Sequence, residues 1–171
     1  MTDHVTIIVI AGQHSFSGEL ANRGLRVLDL LNDVSTEFIQ LSNVAVHRRF
    51  FDGIIKQLPD SSIPKAIVDF VLLEQDKHEA PIRRQHALVE KRSHTAFAVV
   101  GNYELRGNLM LKGAPDAIGA ITREFSAFFP LTSAHLAIVG GSDELVAAGV
   151  ALVNKSKVSL LQIDQQAGRS S

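Results

Sequence analysis

VTIIVIAGQHSFSGELANRG, residues Val5 to Gly24, can be written above HTAFAVVGNYELRGNLMLKG, residues His94 to Gly113, at a constant shift of 89 positions. Thr6, Gly12, Gly18, Leu20 and Gly24 then fall on Thr95, Gly101, Gly107, Leu109 and Gly113. Apolar class matches as well, with Ile8 on Phe97, Ile10 on Val99 and Phe16 on Leu105. Collinear glycines inside an alternating apolar pattern are the mark of an internal repeat. In each copy the first segment is β-branched or small and apolar on both faces, which predicts a central strand. A turn at Gly12 or Gly101 leads into a period-two strand carrying Gly18 or Gly107. Glycine inside such a strand predicts a bulge or sharp bend.

Beyond Gly24 the likeness continues with one inserted residue. Leu28 and Leu31 fall on Ile118 and Ile121, and Phe38, Ile39 and Leu41 on Phe128, Phe129 and Leu131. Val27, Leu28, Leu31 and Val34 predict one apolar helix face; Ile118, Ile121 and Phe125 predict its counterpart, with Pro115 in the first turn. Third strands are expected over Phe38 to His47 and Phe128 to Ile138. The last hairpin is read by laying FVLLEQDKH (Phe70 to His78) over VALVNKSKV (Val150 to Val158). That alignment treats about 54–65, with Pro59 and Pro64, as an irregular insertion in the first copy. The predicted fold is therefore mainly β with short helices, as two tandem small β-barrel-like modules related by internal duplication. Residues 1–84 make the first module, 85–164 the second, and 165–171 a frayed tail.

The 171 residues are 46% hydrophobic and 20% charged, enough apolar content for a core. A net charge of −1 provides no global field for nucleic acid or anionic membrane. The absence of cysteine removes disulfides, thiolate metal sites and cysteine nucleophiles. The apolar run Val5 to Ala11 is short for a signal peptide, and Leu145 to Val153 is far from the ~20 residues that span a bilayer. A cytoplasmic protein with no membrane contact is expected.

The run Gly12, Gly18, Leu20, then RVLDLLN (Arg26 to Asn32), then FIQLSNVAV (Phe38 to Val46), then FVLLEQDKH resembles a bacterial family of single-module β proteins. Its members carry an R-L-x-D-x-L-N segment, an F-I-x-L-x-x-V strand and a final V-N-K hairpin. The second copy keeps VALVNKSKV but reads Asp116 and Thr122 where the first has Arg26 and Asn32. The resemblance implies no activity; it implies structural roles for Asp29 and Asn32, as cap or turn residues of the short helix. A looser likeness, at the level of fold, is to Sm-like and SH3-like small barrels.

No catalytic constellation is present in the sequence. The histidines (His4, His14, His47, His78, His86, His94 and His135) lack metal-ligand spacing and are expected at exposed strand ends and turns. Gly140-Gly141-Ser142 is followed by Asp143 and Glu144, which would repel a phosphate; it reads as a turn. The one local charge feature is basic. Arg83, Arg84, Lys91 and Arg92 cluster between the copies, with Arg48 and Arg49 as a second patch. Such groups bind phosphate or a protein partner. Aromatic residues are only 6%, so bases would find few stacking platforms. The favoured reading is a non-enzymatic binding or assembly module without cofactor or metal, contacting a protein partner or itself. On that reading the basic junction is ion-paired within the fold or across an oligomer, with Asp143 and Glu144 the nearest matching acids. The alternative is an Sm-like nucleic-acid binder that uses the same junction.

Overall fold

The computed structural model describes residues 4–48, 53–73, 91–113, 116–138 and 146–164. Ten strands form one antiparallel sheet. They are β1 (His4–Ala11), β2 (His14–Ala21), β3 (Phe38–His47), β4 (Ile54–Pro64), β5 (Phe70–Leu73), β6 (Arg92–Val100), β7 (Tyr103–Leu111), β8 (Phe128–Ile138), β9 (Val146–Asn154) and β10 (Val158–Ile163). Helix α1 (Val27–Asn32) joins β2 to β3. Helix α2 (Ala117–Gly119), continued by a wider turn over Ala120–Glu124, joins β7 to β8. Short 3-10 turns at Lys65–Ile67 and Lys155–Lys157 precede β5 and β10.

The sheet order is β10-β6-β7-β8-β9-β5-β1-β2-β3-β4. In each half the fifth strand lies beside the first, and strands one to four follow in sequence. The registers correspond too. Glu19 pairs with Ser42 and Asn108 with Thr132, a shift of 89 on one strand and 90 on the other. Phe38 pairs with Pro64 and Phe128 with Asn154, both shifted by 90. Ile10 pairs with Phe70 and Val99 with Leu160. The irregularities match: the β2–β3 register slips between Ser17 and Glu19, and the β7–β8 register between Arg106 and Asn108. Asn43 and Ser133, at the corresponding places on β3 and β8, both take positive φ.

Three expectations are corrected here. Residues Ile54–Pro64 are not an irregular insertion: they are the strand β4, paired with β3 along its length. The prolines are tolerated because β4 is an edge strand with one side unpaired. With β4 in place, the strand that corresponds to β5 is β10, not β9, so the shift of 80 between FVLLEQDKH and VALVNKSKV is not the structural one. The sheet also does not close into barrels. The fourth strand of the second half, β9, gives its free side to β5 of the first half, leaving β4 and β10 as open edges. On the sequence, the polar turn Glu74 to Lys77 also leads into a short strand expected near Glu79 to Arg83; those residues lie outside the described ones.

Side-chain alternation places one core on each face of the central strands. From β1, Val5, Ile7 and Val9 enter the first core, while Ile8 and Ile10 join the second. From β5, Val71 and Leu73 enter the first core and Phe70 and Leu72 the second. From β9, Val150 and Leu152 enter the first and Ala151 and Val153 the second. Each half therefore contributes to the core of the other. A strand between two cores must be apolar on both faces, which is the pattern that marked β1 as central. The helices are shorter than their apolar spacing suggested. Val34 lies beyond α1 and is 97% exposed, and Ile118 is 77% exposed on α2.

Gly18 and Gly107 both sit at the register slips, where another strand passes close by. A Cβ on Gly107 would lie 2.7 Å from Leu131 Cγ and 2.7 Å from the Thr132 carbonyl oxygen. On Gly18 it would lie 3.0 Å from the Ser42 carbonyl oxygen. Gly12 and Gly101 instead supply positive φ at the first hairpin of each half.

Candidate functional site

The two halves of the sheet join where β5 meets β9. Phe70, Val71, Leu72 and Leu73 pair with Val153, Leu152, Ala151 and Val150. Phe70 is fully buried and meets the Tyr103 ring edge-on at 5.1 Å. Phe128, at the start of β8, crosses the other way into the first core and is 3% exposed. Burying side chains of this size contributes roughly 1.5–3 kcal/mol each.

Two asparagines clasp this junction. The Asn32 side chain donates to the Phe128 carbonyl at 3.0 Å and accepts from the Phe128 N–H at 2.8 Å. Asn32 thus continues the backbone pairing of a strand in the other half, instead of capping its own helix. The Asn154 side chain, buried, donates to the Val68 carbonyl at 2.9 Å. Its oxygen accepts from the Ser156 N–H and hydroxyl at 3.1 and 2.8 Å. The Asn154 N–H donates to the Asp69 carbonyl at 3.0 Å.

Asp69 stands between the two first hairpins. Its carboxylate accepts from the Gly12 N–H at 2.8 Å. A side chain at Gly101 would begin 3.0 Å from the same carboxylate, so only glycine fits there without displacing it. Burial raises the Tyr103 phenol above its ordinary value of 10.0, and the Asp69 charge pushes the same way.

Lysines close the short helices. Lys65 Nζ donates to the Leu30 and Asp33 carbonyls at 2.7 and 2.9 Å and to the Thr36 hydroxyl at 2.7 Å. Lys155 Nζ donates to the Phe125 carbonyl at 3.0 Å. Both satisfy carbonyls left open at a helix end. Partial burial lowers the Lys65 pKa, opposed by the Asp33 charge. Asp33 is itself lowered by the side-chain and then the backbone hydrogen bond from Ser35, with Lys65 adding a smaller effect. Asp29 pairs with Arg26 through two bonds of 2.9 Å on an exposed surface.

Of the basic residues singled out by sequence, Arg49, Arg83 and Arg84 lie outside the described residues, as do Asp143, Glu144 and Gly140 to Ser142. Lys91, Arg92 and Arg48 are exposed. Arg92 begins β6 and Arg48 follows β3, so six strands separate these two arginines in sheet order. Among the described residues, the structure does not bring Arg48 and Arg92 onto neighbouring strands. One histidine departs from the expectation of exposed positions: His94 is buried on β6, and neither ring nitrogen has a hydrogen-bond partner. It takes the place that Val5 holds in the first half. His78 and His86 lie outside the described residues.

Among the described residues no group of three or more His, Cys, Asp or Glu is arranged to hold a metal ion. No described helix is long and apolar enough to cross a membrane. A surface depression of about 480 Å³ runs over His4, Glu19, Gln40 and Asp60, where Ser42, Ser61 and Ser62 supply hydroxyls; among the described residues Ser42 donates only to the Glu19 carbonyl. Comparison with family models, curated proteins and solved structures found no match.

Proposed function

We propose that the chain is a non-enzymatic assembly module, made of two diverged copies of one five-stranded unit that meet through unlike sheet edges. The observation that carries this reading is the β5–β9 junction. There the fifth strand of one half pairs with the fourth strand of the other, and each half lends side chains to the other's core. That is the construction of a protein–protein interface, with a fully packed apolar centre and two buried or half-buried polar clasps. The matching registers of the two halves, and the shared positive φ at Asn43 and Ser133, support descent of both from one duplicated unit. On this reading the unit is of the single-module kind that the R-L-x-D-x-L-N segment resembles, and its surface is devoted to contact with protein.

The test sets association against nucleic-acid binding. Sedimentation of the full chain is measured over a concentration series, with and without a mixed-sequence RNA, at two salt concentrations. Assembly predicts protein–protein association that needs no RNA. A chain that stays single and instead holds RNA, losing about 0.7 of log-salt slope for each phosphate contact removed in Arg83→Ala/Arg84→Ala, would install the nucleic-acid reading in its place.

A further inference from the structure

We infer that the partner is a second copy of this chain, docked head to tail with β10 of one molecule against β4 of the next; this rests on the assembly reading above. The argument starts from β6. Like β1 it is apolar on both faces: Ala96, Ala98 and Val100 enter the second core, while Phe97 and Val99 point the other way. On β1 the outward residues Ile8 and Ile10 are covered, together with Phe70 beside them, by the other half. The corresponding outward strip is Phe97, Val99 and Leu160, with Val99 and Leu160 paired across the strands. No strand of the other half covers it in the described chain: the Arg106 guanidinium lies over the Phe97 ring, 5.6 Å from its centroid, and Phe97 and Val99 are half-buried. Leu160 is 49% exposed where Phe70 is 0% exposed.

The opposite end of the molecule carries the complementary lack. Phe38 stands where Phe128 stands in the second half, and it is 50% exposed where Phe128 is 3% exposed. Back on the β10 side of the sheet, Ile118 on α2, between β7 and β8, lies exposed in the place from which Leu28 on α1 packs against the first core. Transposing the β5–β9 junction by the same shift that relates the two halves lays β10 on β4. Leu160 then faces Ile63, Leu161 faces Ser62 and Gln162 faces Ser61. Phe38 enters the second core beside α2. An interface between two unlike edges is heterologous, so its repetition gives a closed ring or a filament, not a two-fold dimer.

The sequence grades this contact. Asn154, which donates twice across the inner junction, is replaced on β4 by Pro64, which has no N–H. Asn32 is replaced by Thr122, whose hydroxyl is turned back to the Ile118 carbonyl. Val150 and Leu152 are replaced by Asp60 and Ser62. The outer contact therefore keeps its apolar anchors and loses its clasps. It is reversible at working concentrations, while the inner junction is permanent.

The cysteine-free sequence allows a clean test. Full-length Ser61→Cys and Gln162→Cys chains are mixed and oxidised. Head-to-tail pairing predicts a disulfide-linked one-to-one product. It predicts several-fold less product when Gln57→Cys, about 13 Å away along the strand, replaces Ser61→Cys. In sedimentation the native mass rises above 18.6 kDa with concentration, and Leu160→Asp, on an exposed side chain, returns it to one chain without changing the circular dichroism spectrum. If the chain associates but each variant cross-links only to its own kind, Ser61→Cys to Ser61→Cys or Gln162→Cys to Gln162→Cys, head-to-tail docking is overturned and the assembly reading stands. A mass of one chain at every concentration overturns the inference outright.

Discussion

Replacing Asn154 by alanine removes three side-chain hydrogen bonds at once, and they are of two kinds. The bond to the Val68 carbonyl crosses between the halves and is buried. Leaving a buried carbonyl without this donor costs about 1–3 kcal/mol. The two bonds from Ser156 hold the 3-10 turn at Lys155–Lys157, a cap of the kind that contributes about 1 kcal/mol. Asn154→Ala is therefore expected to destabilise by roughly 2–4 kcal/mol. At about 2–4 °C per kcal/mol for a protein of this length, the melting temperature falls by roughly 5–15 °C. Urea unfolding followed by circular dichroism measures it, provided the slope with denaturant is unchanged and a second probe coincides. Ser156→Ala, which loses only the 2.8 Å hydroxyl bond, separates the cap from the clasp and should cost no more than about 1 kcal/mol. If Asn154→Ala is no worse than Ser156→Ala, the bond across the junction contributes nothing and the reasoning fails.

Tyr103 is the single tyrosine of a tryptophan-free chain, so tyrosinate absorbance reports on the junction alone. Its pKa is raised in the folded state, so its contribution to stability is complete below pH 10 and is lost as pH rises through the folded value; titration in native buffer should end higher than in denaturant, and coincident curves would contradict the burial. Gly107→Ala drives a Cβ against backbone and should cost about 1–3 kcal/mol, more than Gly18→Ala, while Gly18→Val should reach the same range; wild-type melting of Gly107→Ala would show that the bend is not tight. His94→Leu removes two buried nitrogens without partners and should raise stability by about 1 kcal/mol; a loss of similar size in chemical denaturation would mean that the ring is satisfied in solution.

The strands most visible in the sequence are those whose side chains are sorted by burial. Val5 to Ala11 reads as central because Ile8 and Ile10 are as apolar as Ile7 and Val9, and each set serves a different core. β4 was hidden by the same logic. With one side unpaired it carries Lys56, Pro59, Asp60 and Pro64, which read as irregular chain. Without β4 in the count, FVLL aligns onto VALV. Those segments are alike because they are neighbours: β5 and β9 pair with each other at the centre of the sheet, so both faces of each are covered and both become continuous apolar runs. The likeness is of environment, not of place in the order of strands. The clasps were illegible for a different reason. Asn32 and Phe128 are 96 positions apart, and nothing local distinguishes an asparagine that reaches a distant backbone from one that caps a helix.

The two outer edges show why such a sheet can stop at ten strands and still be able to continue. An exposed edge offers a row of unpaired backbone groups to any other strand. On β4 the prolines and Asp60 make that offer poor, and β10 carries a register slip between Val158 and Leu160. Backbone pairing alone would therefore select no partner. What distinguishes one occupant from another is the side-chain surface next to each edge: Phe97, Val99 and Leu160 at one end, Phe38 at the other. Those residues sit where the inner junction buries their counterparts. A strand that brought only hydrogen bonds would leave them wet, whereas one that arrives attached to a copy of the opposite half covers them. Specificity at these edges thus lies in the shape behind the strand, while the strand itself fixes the register.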